Sequence, residues 1–214
     1  CRALSMHALQ RNLYLSEVAS YSQKQQMKEQ LGEKESGMLG LLHRLKLVCA
    51  HPYSVQPDQR LRDHSPKLQW LLQTLEGIKR AGNGDKVIVF SELRDIQREL
   101  QHAIHERFGF KATVINGDTS TSSQSAQSRQ KLIDQFQQQP GFSVIILSTV
   151  AVGFGVNVQA ANHVIHFTRC WNPAKEDQAT DRAYRIGQEK DVYVYYPTVL
   201  DNSMQTFEAT LDQL

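Results

Sequence analysis

The sequence has few cysteines and no long apolar run, and each shortage excludes a class of protein. Its 214 residues include three cysteines, at positions 1, 49 and 170. An odd and scattered set argues against a disulfide framework and favours a reducing compartment. No apolar run approaches the ~20 residues that a membrane-spanning helix needs. We therefore predict a cytoplasmic protein with no membrane partner.

We expect neither a metal site nor a secretory leader. His43, Cys49 and His51 lie close in sequence, but no second ligand pair follows at zinc-like spacing, so we predict no metal site. Residues 1–4 contain neither the apolar segment of a signal peptide nor an initiator methionine. We expect the chain to be a fragment of a longer protein.

Charge of one sign does not dominate either. The formal net charge is +2, with 40% hydrophobic and 21% charged residues, which is typical of a globular domain. So small a charge does not by itself require nucleic acid as a partner. A nucleic-acid surface would have to come from local placement of basic residues. Candidates are Arg94, Arg98, Arg107, Lys111, Arg129 and Lys131, and a solvated surface explains each of them equally well.

The chain changes character near residue 65. Residues 1–52 predict helices, because leucines recur at three-residue steps from Leu39, and Pro52 ends the segment. Residues 53–64 contain Pro and Asp and are typical of a linker. Beyond this linker, short apolar runs alternate with helical patterns as far as residue 200. The last segment, 201–214, predicts a closing helix.

The apolar runs predict strands at 86–90, 112–115, 143–147, 163–167 and 192–195. Short continuous apolar runs suit strands that are covered on both faces. Alternation with helices predicts an α/β fold with a doubly wound parallel sheet and helices on both faces. Ligands of such sheets bind at the carboxyl ends of the strands.

The loop after the third predicted strand carries groups suited to an anion. Thr149 can donate to a phosphate oxygen, and Asn157 can bond a ribose hydroxyl. Gly153 and Gly155 let the backbone approach a bulky anionic ligand closely. Taken alone, a tight turn explains the two glycines better. They also do not match the dinucleotide fingerprint, because Val158 stands where its third glycine would be.

The segment after the fourth strand carries a tryptophan at the predicted tip of a loop. Trp171 is either a packing anchor or a side chain that stacks on a base. Asn172 and Pro173 predict the N-cap and the first residue of a helix. Along that helix a polar face follows at i, i+4 and i+7, formed by Gln178, Arg182 and Arg185.

Two arginines on one rigid helix face can grip phosphate, since a guanidinium matches phosphate oxygens in a bidentate fork. A solvated polar stripe is the alternative. The chain has no Gly-x-x-x-x-Gly-Lys-Ser/Thr loop, and no Asp-Glu pair at a strand end to hold magnesium. The arginines therefore predict half of a two-lobed site, in which another lobe binds nucleotide and metal.

Five ordered segments closely resemble the second RecA-like lobe of Swi/Snf-type ATPases, in helicase superfamily two. They comprise 65–68 with 86–91, 116–136, 148–157, 171–173 and 178–188. Residues 45–52 also resemble the segment between the two lobes of that family. The resemblance implies that 65–200 is a RecA-like helicase C-terminal lobe, preceded by the tail of a helical insertion. The form of residues 167–169 resembles bacterial members.

The resemblance implies a role for each candidate residue. Arg182 and Arg185 would be arginine fingers that reach the γ-phosphate held by the other lobe, with Gln178 at the amide position of the same motif. The nucleotide cleft would be shaped by Gly153, Gly155 and Asn157. The DNA-binding residues would be Ser91, Thr149 and Trp171.

The implied function is a DNA-dependent ATPase that translocates along double-stranded DNA. ATP and Mg²⁺ would be bound mainly by the N-terminal lobe of the same protein, so the fragment is expected to be inactive alone. Other protein subunits are further implied partners, and the bacterial cytoplasm or nucleoid (the nucleus in a eukaryote) is the implied location. The alternative is a non-catalytic DNA- or protein-binding module of the same fold.

Three positions depart from the family pattern. Val152 replaces the first of two paired glycines. Thr168 and Cys170 replace acidic residues that usually precede the tryptophan. These departures leave the arginines in place and bear only on the loop contacts.

Overall fold

A computed structural model of the chain describes residues 1–32, 37–116, 123–152, 158–183, 189–211 and 213, with the backbone alone at 123–127, 152, 182 and 183. The chain divides into two compact units, one of residues 1–2 and 70–197 and one of residues 3–69 and 198–214. In chain order the elements are β1 (Arg2–Ser5), α1 (Ala8–Gln30), α2 (Met38–Ala50), α3 (Gln59–Asp63), α4 (Pro66–Ala81), β2 (Lys86–Phe90), α5 (Arg94–Phe108), β3 (Thr113–Ile115), α6 (Ser123–Gln138), β4 (Ser143–Leu147), α7 (Thr149–Val152), β5 (His163–His166), α8 (Pro173–Ala183), β6 (Tyr193–Tyr195), β7 (Pro197–Leu200) and α9 (Phe207–Leu211).

The first unit contains a five-stranded sheet in the order β3-β4-β2-β5-β6. Every neighbouring pair of strands is parallel, and the register pairs Phe90 of β2 with Leu147 of β4 and with His166 of β5. The strand order is not the sequence order, and each parallel neighbour is reached through a crossover connection. The predicted α/β fold with a parallel sheet is confirmed.

The central strands of this sheet are buried along their whole length, as their apolar composition predicts. Ile88 and Phe90 pack in one cluster with Ile133 and Phe136 of α6. The intervening residues of β2 are also fully buried, although they point to the opposite face of the sheet. Each such side chain contributes about 1.5–3 kcal/mol of transfer free energy, so the sheet is fixed from both sides.

The second unit has a core of its own. Leu13, Val48 and Phe207 belong to its buried cluster. The backbone N–H of Phe207 donates to the Tyr14 hydroxyl at 3.0 Å. Glu208 lies beside this core and forms a fully buried ion pair with Lys67. A buried pair of this kind stabilises only if both partners are present.

Some elements of the second unit differ from the sequence prediction. β1 begins the segment that was predicted to be helical, and it forms a two-stranded sheet with β7, which the sequence did not predict. The predicted linker contains a 3₁₀ turn at Pro52–Ser54 followed by α3. The predicted closing helix is shorter, at Phe207–Leu211. The domain boundaries at 52, 64 and 200 stay predictions.

The described ranges carry neither a membrane-spanning helix nor a cluster of metal ligands. None of the helices there is long and apolar enough to cross a membrane. Among the same residues no group of three or more His, Cys, Asp and Glu side chains is placed to hold a metal ion.

Candidate functional site

Three loops meet at the carboxyl edge of the five-stranded sheet, directly after β2, β4 and β5. Their backbones continue the strand ladder. The N–H of Ser91 donates to the carbonyl of Leu147 at 3.0 Å, and the N–H of Phe167 donates to the carbonyl of Phe90 at 3.0 Å. The residues that follow each strand are therefore held side by side, as expected for parallel strands.

Ser91 and Thr168 join the β2 and β5 loops below the surface. The Thr168 hydroxyl donates to the Ser91 hydroxyl at 3.2 Å and accepts the N–H of Glu92 at 3.3 Å. Ser91 is only 1% exposed. Its side chain serves the loop-to-loop contact in this structure, and its predicted role in DNA binding stays a prediction. A departure from the family pattern, Thr168, thus has a structural use.

Thr149 is held by a carboxylate. One oxygen of Glu92, Oε1, accepts both the backbone N–H and the hydroxyl of Thr149, each at 2.5 Å. The sulfur of Cys170 lies 3.8 Å from the same hydroxyl. Thr149 is half-buried at the edge of the sheet. The residue predicted to contact DNA phosphate is therefore present at the edge, with both of its donors directed to Glu92.

Helix α8 begins as the sequence predicts. Asn172 precedes the first helical residue, Pro173, and its side-chain oxygen accepts the N–H of Ala174 at 3.0 Å. The carbonyl of Asn172 accepts the N–H of Lys175 at 3.0 Å. These bonds satisfy donors that the first turn of a helix leaves without intrahelical partners. Trp171, just before the cap, is 51% exposed.

A buried ion pair fixes the first turn of α8 to the end of β5. Glu176 Oε1 accepts the Arg169 Nε–H at 3.0 Å and the backbone N–H of Cys170 at 2.7 Å. Glu176 is 3% exposed and Arg169 is 8% exposed. The Arg169 guanidinium also lies over the ring of Tyr196, 5.1 Å from its centroid. Removal of one partner from a buried pair costs about 3–5 kcal/mol, so this contact strongly restrains the helix.

His166 adds a second attachment one turn further along the helix. Its Nε2 lies 2.9 Å from the hydroxyl of Thr180, and Thr180 follows Glu176 at i+4. The imidazole stacks between Phe90 and Tyr196, with ring centroids at 5.1 and 4.9 Å. Burial, aided by the positive charge of Arg169, lowers the pKa of His166 to about 3. The ring is therefore neutral at physiological pH, and α8 is fixed at two successive turns.

The structure describes only some of the residues predicted to form the polar face of α8. Gln178 is exposed, and Arg182 follows it at i+4 within α8. Arg185 lies outside the described residues, as do Gly153, Gly155 and Asn157. The structure therefore brings Thr149, Trp171 and α8 to one edge of the sheet. The catalytic and nucleotide-binding roles stay predictions.

The residues that organise this edge were missed from the sequence. Glu92, Arg169 and Glu176 make buried or short contacts there, yet none has a motif of its own. Glu176 carried one usable signal, since an acidic residue in the first turn of a helix is favoured by the helix dipole. No sequence signal identifies Arg169 as its partner, because the pairing depends on how α8 returns to the sheet.

The family model of the helicase conserved C-terminal domain matches residues 66–187, more than half of the chain. A curated relative, Zorya protein ZorD of Escherichia coli O139:H28, is 68% identical over 214 residues, which cover 100% of this chain and 20% of that protein. SNF2 domain-containing protein ENL1 of Oryza sativa subsp. japonica is 32% identical over 183 residues, or 86% of this chain and 18% of that protein. The chain thus spans about a fifth of the length of these relatives.

Solved structures give the same family. The Sulfolobus solfataricus SWI2/SNF2 ATPase core in complex with dsDNA superimposes with a TM-score of 0.74 at 29% identity, covering 99% of this chain and 42% of that one. Strands β2 to β5 of the parallel sheet lie within the residues that the family model matches. The chain therefore belongs to the helicase conserved C-terminal domain family, as the C-terminal RecA-like lobe of a Swi/Snf-type ATPase.

Proposed function

We propose that the chain is the second motor lobe of a DNA-dependent ATPase that translocates along double-stranded DNA. The observation that carries the proposal is the attachment of α8. Glu176 and Thr180 fix one side of this helix to the sheet, while Gln178 on another side remains exposed. A helix held in this way can present Arg182 to a ligand outside the lobe with little reorganisation.

The ligand in this proposal is ATP held with Mg²⁺ by the N-terminal lobe of the same protein. Arg182 and Arg185 would stabilise the charge that develops on the γ-phosphate, and Gln178 would accompany them. Gly153, Gly155 and Asn157 would shape the cleft around the nucleotide. The chain has no phosphate loop of its own. The isolated lobe is therefore expected to show no ATP turnover.

The second ligand is the DNA backbone. Thr149 and Trp171 lie at the carboxyl edge, and Ser91 lies just beneath it. The related Sulfolobus solfataricus core was solved with dsDNA, which supports the same partner here. Phosphate contacts position a duplex without reading its sequence. We therefore expect binding that is independent of DNA sequence and falls with salt concentration.

The intact protein is proposed to act with other protein subunits. The relative at 68% identity is named a Zorya protein, and the match extends over the whole of this chain. We therefore propose that the intact protein is also a Zorya component. A cytoplasmic location stays a prediction from the sequence.

The proposal is tested by ATP turnover of the intact protein with and without duplex DNA. Thr149→Ala should raise the DNA concentration for half-maximal stimulation by up to about a hundredfold. A hydrogen bond to a charged group contributes about 1.5–3 kcal/mol, and the hydroxyl first has to leave Glu92. Thr74→Ala is the matched control, since Thr74 is also half-buried but lies within α4.

Two results would contradict the proposal. Intact protein without ATP turnover at any DNA concentration would favour a non-catalytic binding module. Thr149→Ala protein with the same DNA response as the Thr74→Ala control would remove Thr149 from the DNA contact.

A further inference from the structure

Glu92 occupies both hydrogen-bond donors of Thr149. The backbone N–H and the hydroxyl of Thr149 each lie 2.5 Å from the same carboxylate oxygen. A threonine has one amide proton and one hydroxyl proton, so no further donor remains on this residue. Glu92 is half-buried and lies in the loop that follows β2. Strand β2 is the neighbour of β4 in the sheet, and Thr149 follows β4.

A DNA phosphate would need the same donors. Phosphate oxygens accept hydrogen bonds and cannot donate them. The same is true of an ionised carboxylate. Thr149 could still accept a bond through its hydroxyl oxygen, but phosphate offers no proton for it. A phosphate can therefore bind Thr149 only after Glu92 releases one donor or both.

We propose that the Glu92 carboxylate and a DNA backbone phosphate compete for the donors of Thr149, so that Glu92 sets the DNA affinity of this edge. The inference rests on the proposed function, since it takes Thr149 as a DNA contact. In the DNA-free lobe Glu92 holds Thr149 in place. In the DNA-bound lobe the phosphate replaces the carboxylate on the same two groups.

Charge also disfavours simultaneous binding of the two acceptors. A phosphate oxygen bound to Thr149 would lie within about 5 Å of the Glu92 carboxylate if that side chain stayed in place. Two negative charges at that separation weaken binding by about fourfold at the dielectric constant of water, and by more near a protein surface. Glu92 must therefore move away or oppose the phosphate, and either event lowers the affinity for DNA.

The experiment measures the affinity of the intact protein for a fluorescein-labelled DNA duplex at fixed salt concentration. Glu92→Gln keeps the shape of the side chain and removes its charge. It should tighten DNA binding by about fourfold or more. Glu92→Ser, which removes the carboxylate with less bulk, should tighten binding in the same direction. Glu106→Gln is the matched control, because it removes one negative charge from the exposed far end of α5 and should change affinity less than twofold.

Combination with Thr149→Ala separates the inference from the proposed function. If competition operates, Glu92→Gln tightens binding more in the wild-type background than beside Thr149→Ala, because alanine removes the contested hydroxyl and keeps only the backbone N–H. Equal tightening in both backgrounds would show a general effect of charge and would overturn the competition. Unchanged or weaker binding by both Glu92 variants, with weaker binding by Thr149→Ala, would also overturn it while leaving the proposed DNA contact intact. No effect of Thr149→Ala on DNA affinity would reject the DNA contact itself.

Discussion

Replacement of Glu176 by alanine should release the first turns of α8 from the sheet. The substitution removes the carboxylate that accepts both the Arg169 Nε–H at 3.0 Å and the Cys170 N–H at 2.7 Å. It leaves the Arg169 guanidinium in a site where the residue is 8% exposed. Loss of one partner from such a pair costs about 3–5 kcal/mol. This is a large share of the ~5–15 kcal/mol that stabilises a typical domain.

The assay is amide hydrogen exchange on peptides from α8 in the intact protein, because exchange reports local opening. A loss of about 3–5 kcal/mol corresponds to faster exchange by roughly two to more than three orders of magnitude. Asp177→Ala is the matched control, since Asp177 is the next residue of the helix and is exposed. Its exchange should stay within a fewfold of the wild type.

A double variant distinguishes the ion pair from general packing. Arg169→Met with Glu176→Leu removes both charges, and such replacements in other proteins are often neutral or stabilising. Protection of α8 should therefore recover relative to Glu176→Ala. Equal protection in the Glu176→Ala and Asp177→Ala proteins would refute the reasoning, because the buried pair would then not restrain the helix.

Three further predictions concern stability. Burial lowers the pKa of His166 from 6.5 to about 3, so between these values the unfolded chain binds a proton that the folded chain does not. As the pH falls below 6.5, the free energy of unfolding should therefore decrease by about 1.4 kcal/mol per pH unit because of this group. In urea unfolding, His166→Asn should reduce this dependence on pH. An unchanged dependence would exclude His166 as its source. Glu208→Ala should lower the free energy of unfolding by about 3–5 kcal/mol, because it leaves Lys67 buried without its carboxylate, whereas exposed Glu29→Ala should change it by less than about 0.5 kcal/mol. Asn172→Ala should remove the cap of α8 and cost about 1 kcal/mol, and thermal unfolding unaltered by this substitution would contradict the capping role.

Local pattern was sufficient to predict the large sheet. Its strands are apolar runs that carry their own signal, and the observed bounds differ from the predicted ones by at most one residue at either end. β1 and β7 carried no such signal, since each has four residues and each is paired with a strand at the far end of the sequence. Pairing over that separation depends on tertiary contacts and not on local propensity.

In the candidate site, too, local features could be predicted from the sequence and long-range contacts could not. The cap at Asn172 and the periodic face of Gln178 and Arg182 follow from spacing along one helix, which sequence displays directly. The partners of Glu92 and Glu176 do not. Glu92 meets Thr149 because β2 lies next to β4 in the sheet, and this order becomes known only when the strands are assembled.

This lobe is proposed to supply arginines to ATP that another lobe holds. The most direct test is ATP turnover of the intact protein, measured with saturating duplex DNA and together with its affinity for ATP. Arg182→Ala and Arg185→Ala should each lower turnover by about 10³-fold or more and leave ATP bound, while exposed Arg80→Ala on α4 should behave as the wild type. Undiminished DNA-stimulated turnover in both arginine variants would contradict the claim.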